Sequence, residues 1–382
     1  MKQIIRITAV GDLMLGDHPV RLGHGVRSNL EKIGTDYLFS CVSKYFKDSD
    51  AVFGNLEVVH SDKGLDAERL ESREFRGSVE SITSLKEAGF NVVSFANNHC
   101  MEHGIDCFRD TLSVLKENGI AAAGIMTGDQ SSLPVVITGS GKRIILFAYS
   151  MRTENYHREG TVPYALKDEE AIYDQVRSFK ISENDVLVVS LHWGEEFMDY
   201  PSPRQVRFAH RLVDAGVRII IGHHPHVLQG IERYKGGVIA YSLGNFVFDM
   251  WQRPTRETII FQAECDKDAV RVKVIPVFIN EVFQPEPLQG GAHDRMLGKL
   301  NRLEQKIKTI YLDRDIDSWT ESEINSIEDQ YAISARRKVL RHRLENYAYF
   351  LANLYRYEPK IIVQSMRRFV NRRVEEYTQV TP

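Results

Sequence analysis

Short apolar runs of strand length alternate along the chain with amphipathic segments of helical period. The strand-like runs lie at residues 4–10, 51–54, 91–95, 185–191 and 218–221. The helical segments lie at residues 78–88, 105–117 and 203–215, and each ends close to a glycine, which commonly stops a helix. This alternation of strand and helix predicts an α/β core.

The pattern changes in the last third of the chain. Residues 258–263 and 270–278 alternate apolar and polar positions around a polar turn, which predicts a β-hairpin. Prolines and glycines across 285–291 then indicate a linker. We therefore predict one domain over 1–285 and a helical C-terminal extension over 291–382.

Within this extension, apolar residues from Met296 onward repeat at helical spacing, and further helices are predicted at 320–357 and 360–376. Residues 332–382 contain eleven Lys or Arg and four Glu, a net charge of 11 − 4 = +7. This composition suits a basic surface for anionic lipid, glycan or a protein partner. The alternative is a solvated helix face that packs on the core through five side chains, namely Leu344, Tyr347, Phe350, Leu351 and Leu354.

Polar residues of metal-ligand type follow five of the predicted strands. Because strands of an α/β fold release their side chains at a common sheet edge, we expect these residues to meet in one site. Their oxygen and nitrogen donors suit Mn²⁺, Fe²⁺ or Zn²⁺, one or two ions, better than a thiolate-loving metal. The clusters are Gly11-Asp12, Asn55-Leu56-Glu57, Asn97-Asn98-His99, His192 to Glu196, and His224-Pro225-His226.

Each cluster alone has an ordinary alternative, because an Asp after a strand is usually a turn or cap residue and a lone histidine usually belongs to the core. Five clusters at strand ends favour a site. In an extended segment, residues two apart face the same side. We therefore expect His224 and His226 to share a metal site, with His223 pointing away.

These motifs resemble the bacterial CapA/PgsA family, which is associated with poly-γ-glutamate and other capsule synthesis. The resemblance runs from about residue 4 to about residue 280 in the same order and spacing. It implies the calcineurin-like metallophosphoesterase fold, a four-layer sandwich of two stacked mixed sheets flanked by helices, with a two-metal site. The motifs that carry it are Gly11-Asp12, Asn55-Leu56-Glu57, Ala96-Asn97-Asn98-His99, His192-Trp193-Gly194, His224-Pro225-His226 and Tyr241-Ser242-Leu243-Gly244-Asn245-Phe246.

Carried over by motif, the resemblance assigns each candidate ligand a role. Asp12 and His226 resemble ligands of the first metal, and Glu57 stands where the superfamily usually has a bridging aspartate. The resemblance also implies second-metal ligands and a histidine that assists the leaving oxygen. The second-metal ligands are Asn98, His192 and His224, and the catalytic histidine is His99.

The first motif departs from the family pattern. Classical members carry Asp-x-His there, whereas this chain has Met14, a poor ligand for a hard ion. His18, four residues on, is an alternative ligand. The departure leaves open whether one or two ions bind and whether the site is catalytic.

Several further residues are candidates for supporting roles. Glu196 and Asn245 are expected to orient ligands, together with Asn55 and Asn97. Arg76 precedes a predicted helix, where it would pair with a phosphate or form a surface salt bridge.

Three functions fit these residues. Metal-dependent hydrolysis of a phosphate ester is preferred, with His99 serving the leaving oxygen. A non-catalytic metal- or polyanion-binding role in a capsule-synthesis complex is favoured by Met14. Amide chemistry on polyglutamate would use the same metals. The absence of a Gly-x-Ser-x-Gly motif argues against a serine hydrolase.

Composition adds few restrictions. The 382 residues carry a net charge of −3, and the four cysteines form no CxxC pair, so a reducing compartment is expected. The sequence shows no signal-peptide pattern and no apolar span of membrane length. We expect a cytoplasmic protein or one peripheral to the membrane, acting on a phosphorylated or polyanionic substrate beside capsule-synthesis proteins, without nucleic acid.

Overall fold

The structure, a computed structural model, describes residues 4–127, 132–139, 142–153, 162–266, 269–313 and 315–366. The strands are β1 (Ile5–Leu13), β2 (Ala51–Leu56), β3 (Val59–His60), β4 (Arg76–Gly77), β5 (Val92–Ser94), β6 (Ala121–Ala123), β7 (Val135–Gly139), β8 (Lys142–Ser150), β9 (Asp185–His192), β10 (Ile219–His223), β11 (Ile231–Tyr234), β12 (Gly237–Ala240), β13 (Asn245–Val247), β14 (Glu257–Cys265), β15 (Val270–Ile279) and β16 (Pro285–Pro287).

Helices form at the predicted segments, and further helices form in parts of the chain where none was predicted. The α-helices are α1 (Val26–Ile33), α2 (Leu70–Arg73), α3 (Glu80–Ala88), α4 (Gly104–Glu117), α5 (Glu169–Ser178), α6 (Pro203–Asp214), α7 (Arg253–Arg256), α8 (Gly290–Ile307) and α9 (Glu321–Ala352). Short 3₁₀ helices lie at Pro19–Arg21, Ser43–Tyr45, Ile316–Ser318 and Leu354–Arg356, and a π-helical segment at Lys308–Leu312. Residues 359–366 are helical as well.

The main strands of the described residues form two mixed sheets. The first has the order β16-β15-β14-β1-β2-β5-β6, with β13 also paired to β1. The second has the order β11-β12-β10-β9-β8-β7. In the first sheet the pairs from β1 to β6 are parallel, and the pairs from β1 outward to β16 are antiparallel. In the second sheet β8, β9, β10 and β12 pair in parallel, and β7 and β11 pair antiparallel at the two edges.

Alternating side chains on the strands divide the protein into layers. On β9, Val186 and Val188 enter the core between the two sheets, while Leu187 and Val189 enter a second core beneath α5 and α6. On β1, Ile7 likewise faces the core between the sheets, and residues on its other face pack with α3 and α4. The helix–sheet–sheet–helix order confirms the predicted four-layer sandwich.

Local sequence explains why α6 forms where it does. Ser202 accepts a hydrogen bond from the Gln205 backbone, the Gln205 side chain accepts one from the Ser202 backbone, and Pro203 occupies the first turn. Past the end of the helix, Gly216 takes a left-handed φ of 103°, which a side chain would disfavour. This helix brings Arg204 and Arg207 to Glu321 on α9.

The C-terminal region differs from the prediction in two respects. Pro285–Pro287 is not a linker but a short strand paired with β15, and α8 then places Met296 and Leu300 in the core between the sheets. Leu344 and Leu351 do not pack on the core as one alternative supposed, since both are 60% exposed. The hairpin of β14 and β15 forms as predicted, and residues 367–376 of the last predicted helix lie outside the described residues.

Candidate metal centre

The candidate ligands leave both sheets at the carboxyl ends of neighbouring parallel strands. Asp12 on β1 lies in register with Asn55 on β2 and with Asn245 on β13. In the second sheet, His192 ends β9 and pairs in register with His223 on β10. The two sheet edges therefore converge from opposite sides of the inter-sheet core, and every one of these side chains is buried.

Asp12, Glu57 and His226 form the centre of the site. One ligand atom from each lies within 4.8 Å of the others. His226 Nδ1 is 3.4 Å from Asp12 Oδ2, and His226 Nε2 is 3.6 Å from Glu57 Oε1. The imidazole thus lies between the two carboxylates. The three residues are close enough together to hold one cation.

Asn98, His192 and His224 form a second group beside the first. His192 Nε2 lies 2.7 Å from Asn98 Oδ1, and the rings of His192 and His224 are 4.7 Å apart between centroids. The His224 ring is 5.8 Å from that of His226, which links the two groups. The structure therefore brings all six predicted metal ligands into one cleft.

Burial and charge oppose each other at these residues. Burial, followed by the charge of Asp12, raises the pKa of Glu57 to about 8. Burial lowers the pKa of His226, but the Glu57 and Asp12 carboxylates outweigh it and raise that pKa to about 10. Glu57 and His226 therefore form a buried acid–base pair in which the charge of each group shifts the pKa of the other.

The two imidazoles of the second group are neutral. Burial holds the pKa of both His192 and His224 well below the ordinary histidine value. Asp12 remains ionised, because bonds to His223 and His226 offset its burial and hold its pKa well below the usual range. Neutral imidazole and ionised carboxylate are the protonation states that bind metal.

The residues fit a divalent cation. Neither carboxylate oxygen of Glu57 and neither ring nitrogen of His224 has a hydrogen-bond partner among the described residues, although all four atoms are buried. Such unpaired polar atoms are costly, and a bound cation would satisfy them. The mixed carboxylate, amide and imidazole donors suit a divalent cation.

His99 lies at the margin of the centre. Its Nε2 is 4.0 Å from Glu57 Oε1, and its Nδ1 is 2.7 Å from Glu102 Oε1. The ring also packs against Phe75, with centroids 5.0 Å apart. Glu102 was not among the predicted site residues, although a carboxylate three residues after a candidate histidine is a usable indication of such a pair.

The asparagines hold the ligands in place. Asn55 Nδ2 donates to Asp12 Oδ1 at 2.8 Å, and Asn245 Oδ1 lies 2.9 Å from His226 Nδ1. Asn97 Oδ1 accepts from the His99 backbone at 3.0 Å, while its Nδ2 donates to the Leu56 carbonyl at 2.8 Å. Glu196 is half-buried and borders a cavity that also reaches His99 and His226.

The His-Pro-His segment is not extended. β10 ends at His223, and His224 and His226 then take left-handed φ values of 94° and 58°. His223 does not point away from the site, because its Nδ1 lies 3.2 Å from Asp12 Oδ1. The alternation of an extended strand fails here because the chain turns immediately after His223.

Arg76 and Met14 have surroundings that the sequence did not reveal. The Arg76 guanidinium is buried and donates to backbone carbonyls, including that of Ser61 at 2.6 Å, so it holds loops together. It forms no surface salt bridge with any residue that the structure describes. Met14 packs in a small apolar cluster with Val58 and Phe248. His18 Nδ1 accepts a hydrogen bond from the backbone of its own 3₁₀ helix, at 3.2 Å from Val20 N.

A cavity of about 640 Å³ adjoins the centre. His99, Glu196 and His226 border it on the side of the metal ligands, and residues of α9 border it on the other side, including Val339 and His342. The ring of His342 stacks on Phe197 with centroids 4.0 Å apart. The C-terminal extension therefore helps to enclose the candidate site.

Two mixed sheets packed between helices, with buried carboxylates and histidines at their strand ends, define an α/β protein with a candidate metal centre. The chain belongs to a bacterial capsule-synthesis family: residues 6–250 match the family model described as "Bacterial capsule synthesis protein PGA_cap". It is 34% identical over 297 residues to the capsule biosynthesis protein CapA of Bacillus anthracis, an alignment that covers 74% of this chain and 69% of that protein.

A second curated relative agrees with this membership. The chain is 33% identical over 292 residues to the PGA biosynthesis protein CapA of Bacillus subtilis, covering 75% of this chain and 74% of that protein. Among solved structures, it is similar to a phosphatase of Mycoplasma pneumoniae, with a TM-score of 0.44, 13% identity, and coverage of 78% of this chain and 98% of that one. No helix of the described residues is long and apolar enough to cross a membrane.

Proposed function

We propose that the protein is a metal-dependent phosphoesterase that serves the synthesis of poly-γ-glutamate or another surface polymer. One observation carries the proposal: the ligand atoms of Asp12, Glu57 and His226 lie within 4.8 Å of one another, and Glu57 is buried without a hydrogen-bond partner among the described residues. Family membership supports the link to capsule synthesis.

Asp12, Glu57 and His226 would hold one cation, and Asn98, His192 and His224 a second. We expect Mn²⁺, Fe²⁺ or Zn²⁺. Such ions acidify water and neutralise the charge of phosphoryl oxygens. Asn55 and Asn245 fix the orientations of Asp12 and His226 through the hydrogen bonds described above.

His99 would assist the leaving oxygen. Because Nδ1 is engaged by Glu102 at 2.7 Å, Nε2 is the ring atom that faces the centre, 4.0 Å from Glu57 Oε1. A carboxylate on Nδ1 fixes the ring orientation and stabilises the protonated imidazole. From this position His99 would donate a hydrogen bond or a proton to the departing alkoxide.

A non-catalytic role is the second candidate, and Met14 favours it. Met14 occupies the position of a histidine in the classical motif and packs with Val58 and Phe248 instead of presenting a ligand. In that role the site would bind a metal or a polyanion within a capsule-synthesis complex, in the cytoplasm or at the membrane surface. The two candidates differ in turnover but share the metal centre.

The deciding experiment combines metal analysis with turnover. Purified protein should contain Mn, Fe or Zn by elemental analysis and should hydrolyse an aryl phosphate ester when Mn²⁺ is added. Glu57→Gln should lose both metal and activity, because the amide supplies no negative charge. His210→Gln is the matched control, since His210 is a buried histidine bonded to Glu232 at 2.8 Å outside the site.

Metal without turnover on any phosphate ester would favour the non-catalytic role. Unchanged metal content in Glu57→Gln would contradict the assignment of the centre itself.

A further inference from the structure

The cavity beside the metal centre is lined mainly by apolar side chains, although the centre itself is highly polar. We propose that the substrate is an amphiphile in which the phosphate is bonded directly to an apolar chain. The phosphate would lie at the metal centre and the chain in the adjoining cavity. This inference rests on the proposed phosphoesterase activity and specifies its substrate class.

The walls nearest the centre show the change from polar to apolar. His99 and His226 border the cavity, and Phe75 and Phe248 lie directly against their rings, with centroid separations of 5.0 and 5.1 Å. Met250 continues the apolar wall. A group attached to a phosphate at the centre would therefore meet aromatic and aliphatic side chains next.

The C-terminal extension supplies the opposite wall. Val339, Phe350 and Leu351 of α9 line the cavity together with Met366, which lies in the helical residues 359–366. The volume of about 640 Å³ is that of a site for a small molecule or a segment of a chain.

The charges of the lining argue against a polyanionic occupant. Glu74 and Glu196 both border the cavity, and Arg343 is the one lysine or arginine among its described lining residues. A polyglutamate segment would bring further carboxylates next to these two and would lose hydration against apolar walls. An alkyl chain meets neither cost, and its burial is favourable.

The cavity opens to the surface through apolar residues. Leu351 and Tyr347 line it while remaining 60% and 42% exposed. Leu340 and Leu344, 59% and 60% exposed, precede them on α9 at intervals of three and four residues, which places the four side chains on one helix face. A chain longer than the cavity would emerge along this face, so both soluble alkyl phosphates and membrane-embedded lipid phosphates fit.

Calorimetry with non-hydrolysable alkyl phosphonates tests the inference on the metal-loaded full-length protein. Affinity should rise about two- to four-fold with each methylene from ethyl to octyl phosphonate, since each buried methylene favours binding. In parallel, KM for the matching alkyl phosphates should fall with chain length while kcat changes little. Equal affinity for all chain lengths would overturn the inference.

Variants of lining and non-lining residues test whether the cavity causes the dependence of affinity on chain length. Val339→Asp and Leu351→Asp should abolish the dependence on chain length while leaving metal content and the binding of inorganic phosphate unchanged. Leu340→Asp, an exposed position on the same helix that does not line the cavity, should keep the dependence with soluble alkyl phosphates. If the two lining variants behaved like Leu340→Asp, the cavity would not be the chain site.

The experiment separates this inference from the proposed activity. If the protein hydrolysed no phosphate ester but still bound longer alkyl phosphonates more tightly, only the proposed activity would be contradicted. If it hydrolysed phosphate esters with no dependence on chain length, only the proposed substrate class would be contradicted. Hydrolysis of lipid phosphate in vesicles distinguishes a membrane-embedded substrate from a soluble one. Loss of vesicle hydrolysis in Leu340→Asp, with hydrolysis of soluble alkyl phosphates retained, would indicate a membrane source. Unchanged vesicle rates in that variant would indicate a soluble one.

Discussion

Histidines at the centre and at its margin differ in what surrounds their rings. Those of His192 and His224 are buried and neutral, which leaves nitrogen lone pairs for a metal. His99 instead lies at the margin of the centre, with the Glu102 carboxylate at its Nδ1 and with its Nε2 towards Glu57. Substitution should therefore separate metal binding from proton donation.

Replacing His99 by alanine should lower kcat on an activated phosphate ester by roughly 10²-fold or more, because a general acid is lost. Bound metal should stay unchanged, since His99 is not one of the six candidate ligands. Glu102→Gln should reduce kcat by a smaller factor, about 10-fold, because the ring loses its orienting charge. Elemental analysis and initial rates measure both, and an unimpaired His99→Ala enzyme would remove His99 from the mechanism.

His224→Ala should lower both bound metal and the melting temperature of protein purified with metal. The lost ligand weakens the affinity, and a bound cation stabilises the native state by mass action. His210→Ala is the control: it removes another buried imidazole and should lower the melting temperature while leaving metal content unchanged. Full metal occupancy in His224→Ala would make His224 a structural residue only.

Asp249, which is not a candidate metal ligand, allows a test of how stability depends on pH. Burial, followed by the charge of Asp17, raises the pKa of Asp249 to about 8. The native state therefore keeps a proton that the unfolded state has already lost, so this group's contribution to stability falls as pH rises from about 4 to about 8. Its Oδ2 accepts a hydrogen bond from the His18 backbone at 2.9 Å, which an asparagine oxygen also accepts.

Asp249→Asn should thus gain stability relative to the wild type between about pH 5 and about pH 9, by at least about 1 kcal/mol. Urea unfolding at the two pH values measures the change. Asp48→Asn, at an exposed carboxyl, should show no such trend. A constant difference between Asp249→Asn and wild type across this range would contradict the buried, protonated state.

At the scale of elements, the sequence predicts regular segments well and the turns between them poorly. The helices α3, α4 and α6 lie within one or two residues of their predicted bounds, because apolar spacing and glycine stops both act locally. The inward orientation of His223 was not predictable from alternation, since it depends on the left-handed turn at His224.

The packing of the C-terminal extension was not predicted either, for a different reason. Periodicity indicates that α9 is a helix but not which of its faces meets the core. Its contacts are set by the loop after β9, where Lys338 donates to the Phe197 carbonyl at 3.0 Å and to Asp199 at 2.9 Å. Such tertiary contacts have no signature in either segment alone.

Lys338→Met should loosen this attachment of α9. Because the ion pair is partly exposed, the free energy of unfolding should fall by only about 1 kcal/mol. Binding of octyl phosphonate should weaken more than binding of inorganic phosphate, since the apolar wall shifts while the metal centre stays. Arg341→Met, which removes an exposed pair with Glu345, is the control and should change neither.

At the scale of the whole molecule, charge is distributed unevenly. The chain carries −3 in total and residues 332–382 carry +7, so the remaining residues carry −3 − 7 = −10. The basic part includes residues 332–352 of α9, and the exposed apolar face of this helix runs through Leu340, Leu344 and Leu351. Basic and apolar residues together on one helix are typical of proteins that bind an anionic membrane surface.

The full-length protein should therefore sediment with vesicles of anionic lipid and not with vesicles of zwitterionic lipid. Its affinity should fall steeply as salt rises from about 50 to about 300 mM, because the attraction between basic side chains and the surface is screened. Replacing the exposed Arg336, Arg337 and Arg341 by glutamine should weaken vesicle binding without loss of metal, since every candidate ligand precedes residue 250. Binding that is independent of salt, or equal for both lipids, would restrict the basic residues to a solvated helix face.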